Sequence, residues 1–187
     1  GPTGYGDSPY QSVSTFAGNP YFIDLETLID KKLLTKEECE SCDWGGSESY
    51  VDYEKMYLSR FKLLRKAYER ANLKNDPDYV AFLKQEEDWL LDYCLFMAIK
   101  NAQNGKCWID WPEELKDRHS KAVKEAEKEL AEEVEFYSFQ QYCFTTQWSK
   151  LKKYANKKGI QIIGDVPIYV ALDSSDAWAN PEMLQFD

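Results

Sequence analysis

Apolar side chains recur three and four positions apart over most of this 187-residue chain, a spacing that gathers them on one face of an α-helix. They do so at Tyr57, Phe61, Leu64, Tyr68 and Ala71, which predicts a helix between the Trp44-Gly45-Gly46 break and Asn75-Asp76-Pro77. Pro77 suits the first turn of a second helix, whose stripe passes through Phe82, Trp89, Tyr93 and Phe96 to about Asn101, where Asn104-Gly105 breaks it. An aromatic knot, Trp108-Ile109-Asp110-Trp111-Pro112, follows. Val123, Ala126, Leu130, Val134, Tyr137, Phe144, Trp148, Leu151 and Ala155 then resume the spacing, predicting helix over 120–158 with one break. Gln141 is the one polar interruption of that stripe. Without neat Leu and Ile at alternate positions it reads as a bundle helix rather than a coiled coil, and the charge run over 121–135 is its solvated face. Asp24 can cap a short helix through Ile29, and Thr35 with Glu38 forms a capping-box pattern for another turn.

The two ends of the chain break this pattern. Residues 1–24 are loop chemistry, with Gly1, Gly4, Gly6, Gly18, Pro2, Pro9 and Pro20 interleaved with Tyr5, Tyr10, Phe16, Tyr21 and Phe22. Linkers are poor in aromatics, so this segment reads either as a rigid ligand-facing loop or as a terminus whose rings pack on the core. At the other end, lysines 152, 153, 157 and 158 favour a helix C-terminus, Gly159 suits a left-handed cap, and Ile160-Gln161-Ile162-Ile163 predicts a short buried strand. Gly164-Asp165-Val166-Pro167 follows, placing an acid at the strand's C-terminal end. Helix, glycine, strand and terminal acid make up the repeating unit of parallel α/β barrels, whose strand-end acids line the active face. A whole barrel needs roughly 250 residues and eight strands. The expectation is therefore a mainly α fragment: one unit of a partial (β/α)8 TIM barrel plus a large helical insertion subdomain.

Charge narrows the partners. With 23 basic against 33 acidic residues the net charge is −10, so nucleic acid and anionic membrane surfaces are repelled on average. The 43% hydrophobic and 15% aromatic content predicts a folded chain. Five cysteines, 39, 42, 94, 107 and 143, form no regular framework, and no signal peptide or long apolar span is evident, so a cytoplasmic setting is expected. Cys39-Glu-Ser-Cys42 has the bare CxxC spacing, but no second pair completes a zinc site, and neither a metal nor another cofactor is expected. His119, the only histidine, lies in a polar stretch without a nearby nucleophile.

The end blocks carry a resemblance. Tyr5-Gly6-Asp7-Ser8-Pro9-Tyr10-Gln11-Ser12 with Phe16-Ala17-Gly18-Asn19-Pro20-Tyr21 resembles the loop after an early barrel strand in the 4-alpha-glucanotransferases, the amylomaltase or disproportionating-enzyme family. Residues 147–155 and GIQIIGDVPIYVALDSSDAWANPE, residues 159–182, are similar to that family's next helix and strand; 25–145 match its inserted helical subdomain more loosely. The resemblance implies a glycoside-hydrolase barrel, with 1–24 as a loop lining the sugar cleft, 25–145 as the insertion and 146–187 as barrel helix, strand and loop. It implies retaining transfer of alpha-1,4-glucan segments between maltodextrins or starch-derived oligosaccharides by an aspartate nucleophile, a glutamate acid/base and a second aspartate. No segment here matches those three acids, so no catalytic residue is assigned and the chain alone should be inactive. The substrate-binding residues it implies are Tyr10 and Asp165, with Asp7 and Ser8 as weaker candidates, while Asp173-Ser174-Ser175-Asp176 caps a short helix. A neighbouring chain is expected to cover the barrel edge at 160–163. The rival reading is a non-catalytic helical module that binds carbohydrate or protein.

Overall fold

The computed structural model describes residues 1–4, 8–164 and 169–185, and within them the protein is mainly helical. The helices are α1 (Leu25–Asp30), α2 (Lys36–Glu40), α3 (Tyr53–Arg70), α4 (Pro77–Gln85), α5 (Leu90–Ala102), α6 (Glu113–Lys116), α7 (Ser120–Glu129), α8 (Ala131–Lys157) and α9 (Ser175–Ala179). No described helix is long and apolar enough to cross a membrane.

Side-chain chemistry sets most helix starts. The Asp24 carboxylate accepts the N–H groups of Glu26 and Thr27 at 3.3 and 3.0 Å, satisfying two of the donors a helix leaves open. Thr35 Oγ accepts the Glu38 N–H at 3.2 Å while the Glu38 carboxylate accepts the Thr35 N–H at 3.0 Å. That same carboxylate receives both terminal nitrogens of Arg70 at 2.7 Å and the Lys66 ammonium at 3.1 Å, so the capping box also braces α2 against α3. Chiefly through the Arg70 pair, Glu38 is held well below the usual carboxylate range. Pro77 opens α4 behind the cap of Asp76, and α8 ends where Gly159 takes φ +76.

The centre of the molecule is α8. Every residue from Phe136 to Cys143 is buried, so its middle is covered on all sides by α5, α3, α4 and α7. Leu63, Leu64 and Ala67 of α3, Tyr93, Phe96 and Ile99 of α5, and Phe139 of α8 meet in one cluster with Val13, Ala17 and Ile23 from the opening segment and Trp178 from α9. The opening segment is thus packed through these aliphatic residues, while its rings at Tyr10, Phe16 and Phe22 stay exposed.

Two expectations fail. The helix predicted from Pro77 to about Asn101 is two helices, because residues 86–89 form a turn. Glu86, Glu87 and Asp88 put three acids at the negative end of α4, and the Trp89 indole N–H turns back to Glu86 Oε2 at 2.8 Å. The break lets Trp89 stack on Phe16 of the opening segment, ring centres 6.0 Å apart. The buried strand at 160–163 is also absent. Among the described residues no strand ladder forms, only an isolated antiparallel bridge between Thr3 and Ser12, and Ile163 is 94% exposed. A strand needs a neighbour to take its backbone hydrogen bonds, and no described segment offers one here. The apolar stripe of α8 likewise leaves the core after Phe144, so Trp148, Leu151 and Tyr154 are exposed. With Phe22, Thr27, Phe144 and Gln147, Trp148 and Leu151 border an apolar groove of about 580 Å³.

Candidate substrate-binding site

Tyr10 sits at the tip of a tight turn. The Gln11 N–H donates to the Ser8 carbonyl at 3.1 Å, and the Tyr10 N–H reaches Ser8 Oγ at 3.4 Å. Behind the tip, the Gly4 N–H donates to the Gln11 carbonyl at 3.0 Å and the Val13 N–H to the Pro2 carbonyl at 3.1 Å, closing the base of the turn. Ser12 Oγ lies 2.9 Å from the Pro2 carbonyl and 2.6 Å from that of Ser14. The Tyr10 ring is left 86% exposed at the apex, free to present one face to a ligand. Ser8 is half-buried and serves the turn through its hydroxyl and carbonyl. Asp7 and Asp165 lie outside the described residues.

Beside this turn, Thr3, Gly4, Tyr21, Tyr53, Glu54 and Tyr57 enclose a groove of about 350 Å³. Tyr21 and Tyr53 stand 6.4 Å apart at 45°, and Tyr57 packs on Phe61 at 4.5 Å. Tyr53 and Tyr57 are half-exposed. Tyrosine rings with hydroxyl rims next to a carboxylate suit a polyhydroxylated ring, since aromatic faces cover apolar C–H surface while polar edges bond hydroxyls. The Tyr57 end of the α3 stripe therefore faces this groove rather than the core.

Three devices hold the opening segment in place. Gln141, fully buried in α8, clasps Gly18: its Oε1 accepts the Gly18 N–H at 2.7 Å and its Nε2 donates to the Gly18 carbonyl at 3.0 Å. Gln147, less than two turns further along, does the same to Asp24 at 2.7 and 3.1 Å. A Cβ on Gly18 would collide with the Phe144 ring, so glycine is required for this close approach to α8. At the other side, α9 clips the segment: the Ser175 N–H and Oγ donate to the Val13 carbonyl at 2.9 and 3.2 Å, and the Thr15 N–H donates to Asp176 Oδ2 at 2.8 Å. Ser174 caps α9 as expected, accepting the Ala177 N–H at 3.2 Å. The structure thus ties the Tyr10-bearing turn to the arm that follows position 165. Sequence reasoning missed both glutamine clamps; the signal was Gln141 itself, an amide inside an apolar stripe, which must find two partners once buried.

The remaining titratable candidates read as structural. Burial raises the Cys39 thiol above its ordinary value, with Cys42 and Glu38 adding to the effect, so this thiol stays protonated. Cys42 Sγ donates to the Glu38 carbonyl at 3.4 Å. Among the described residues no cluster of three metal-ligating side chains occurs. His119 is an exposed residue at the start of α7.

Comparison with known proteins settles the family. The 4-alpha-glucanotransferase family profile matches residues 1–187. The chain belongs to that family. A 4-alpha-glucanotransferase of Clostridium butyricum is 48% identical over 184 residues, covering 98% of this chain and 38% of the relative. One from Thermus thermophilus is 46% identical, covering 100% of this chain and 37% of the relative. The solved structure of amylomaltase from Streptococcus agalactiae in complex with acarbose superimposes with a TM-score of 0.91 at 37% identity, over 99% of this chain and 38% of that one. The chain therefore spans little more than a third of the length of these 4-alpha-glucanotransferases. Residues 25–145, the loosest part of the resemblance, fall within the family match as fully as the two end blocks.

Proposed function

We propose that this chain is the N-terminal part of an enzyme that moves alpha-1,4-glucan segments between maltodextrins by a retaining double displacement. The observation that carries this reading is the family match along residues 1–187, joined to a superposition of 0.91 on an acarbose-bound amylomaltase. An oxocarbenium-like transition state needs a carboxylate nucleophile on one face of the sugar and a proton donor at the leaving oxygen. Those carboxylates belong to the length of the relatives that this chain does not reach. Its own contribution is the sugar floor: the exposed Tyr10 ring, the tyrosine groove at 53 and 57, and Asp165 at the end of a strand completed by further barrel strands. Ser8 shapes the same turn, and Asp7 is a weaker candidate for sugar contact.

The exposed apolar surface fits this division of labour. Phe22, Trp148 and Leu151 line one apolar groove, and the isoleucines at 160, 162 and 163 are exposed as well, more apolar surface than stands in water by preference. In the barrel reading, residues 146–187 supply one helix–strand unit whose neighbours cover this apolar surface, and 25–145 form the inserted subdomain. Five free cysteines support a reducing, cytoplasmic setting.

The test is to incubate the full-length gene product with maltotriose. Glucose appearing together with longer maltodextrins supports transfer. Hydrolysis alone points to an amylase-like relative, and binding without turnover to a non-catalytic carbohydrate module.

A further inference from the structure

The Tyr10 side chain has almost no contacts of its own to aim it, since the ring is 86% exposed. Its placement comes from the base of the turn, and that base is held from α9, across 161 and 162 residues of sequence. Ser175 gives two donors to one acceptor, the Val13 carbonyl, and both residues are buried. One residue on, the Asp176 carboxylate takes the Thr15 N–H at 2.8 Å, the shortest of these contacts.

The post to which the turn is clipped is itself fixed. Trp178 is fully buried, its indole N–H donates to the Leu115 carbonyl at 3.0 Å, and the Arg118 guanidinium lies 4.2 Å from its ring centre. The arm leading into α9 is tied down as well. The Trp108 indole N–H donates to the Leu172 carbonyl at 2.7 Å, and Lys100 pairs with Asp173 at 2.6 Å while also reaching the carbonyls of Gly105 and Lys106. Helix, arm and turn form one connected assembly, with the clip as its link to the tyrosine.

We propose that Ser175 and Asp176 are positioning residues for glucan transfer: they set where the Tyr10 turn stands relative to α9 and the core behind it. The proposal rests on the reading that Tyr10 contacts sugar. Neither positioning residue touches the reacting atoms in this scheme. Their effect arises because small displacements of a substrate-contacting group are amplified in rate, a shift of 1 Å costing on the order of a hundredfold.

The experiment uses the full-length enzyme and maltotriose, with kcat and KM determined separately and thermal midpoints recorded in parallel. Asp176→Ala frees the Thr15 N–H and is expected to lower kcat/KM by about tenfold. Asp176→Asn retains an oxygen acceptor at the same place and is expected to recover to within about threefold of wild type. Ser175→Ala loses only the hydroxyl donor, keeps the backbone bond to Val13, and should fall between them. A loss that the asparagine variant does not rescue, or one that scales with thermal midpoint across the three variants, overturns the positioning role. An active wild type with an equally active Asp176→Ala leaves the transferase reading standing and removes the positioning role alone. An inactive wild type removes both. Amide exchange at Thr15 in the 187-residue chain checks the clip directly: slow exchange in wild type and fast exchange in Asp176→Ala supports it, and equal rates overturn it.

Discussion

Replacing Gln141 by leucine tests the clamp at the centre of the fold. The side chain is fully buried and grips Gly18 with both ends of its amide, at 2.7 and 3.0 Å, while Nε2 also reaches the Tyr93 hydroxyl at 3.5 Å. Leucine has nearly the same reach, so no large cavity opens, but the Gly18 N–H and C=O lose their partner where the segment lies against α8. Each orphaned backbone group costs about 2 kcal/mol, and the leucine returns about 2 kcal/mol of apolar burial. The net loss is about 2 kcal/mol, which for a chain of this size lowers the thermal midpoint by roughly 4–8 °C. Gln147→Leu provides the internal control. It removes the same pair of bonds from Asp24, but at an exposed position where water replaces them, and should cost less than about 1 kcal/mol. Urea denaturation followed by tryptophan fluorescence reads both variants. The reasoning is refuted if Gln141→Leu unfolds at or above the wild-type midpoint, or if Gln147→Leu costs as much. Gln141→Glu adds a signature. A buried carboxylate facing the Gly18 carbonyl is disfavoured in its charged form, so its deficit should shrink as pH falls from 7 towards 4, where it is protonated.

Gly18→Ala forces a Cβ into the Phe144 ring and should destabilise by about 1–3 kcal/mol in the same denaturation assay; a neutral result would mean that α8 yields easily there. Glu38 has a folded-state pKa below its unfolded value, held there by Arg70 first, so the stability it contributes is present above about pH 4.5 and is lost as pH falls through the depressed value. The gap in urea midpoint between wild type and Glu38→Gln should therefore narrow from pH 7 to pH 3, and an unchanged gap contradicts the brace between α2 and α3. Cys94 and Cys143 are buried with thiols pushed up by desolvation, the latter to about 12, so a thiol reagent at pH 7 should label them only at the rate of unfolding. Rapid labelling of either in the native protein would show that the α5–α8 interface opens readily.

The elements read best from sequence were those whose signals are local. Asp24, Thr35 with Glu38, Pro77 and Gly159 announce their helix boundaries through the atoms that satisfy the first or last turn, and each boundary lies where those residues put it. The single break in the 120–158 helix falls at Leu130, within a continuous apolar stripe. The turn at 86–89 was hidden because Trp89 keeps the helical spacing while stacking on Phe16, a partner more than seventy residues away. The isoleucines at 160–163 have the composition of a buried strand, and such a run forms one only when a neighbouring strand takes its hydrogen bonds. Tyr10 is singled out through the family resemblance of its loop, but the groove at Tyr53 and Tyr57 is not, because Tyr57 shares the spacing of a core stripe. The clip from Ser175 and Asp176 is likewise invisible in one dimension, where the two residues read as helix-capping chemistry.

The central claim, that the Tyr10 turn and the arm bearing Asp165 together form the sugar floor of a glucan-transferring enzyme, is tested most directly by maltotriose disproportionation in the full-length protein and its Tyr10→Ala and Asp165→Asn variants. The account predicts glucose and longer maltodextrins from wild type, a drop of at least about tenfold in kcat/KM for each variant, and an unchanged unfolding midpoint for Tyr10→Ala, whose ring is exposed. Wild-type rates in both variants would contradict it.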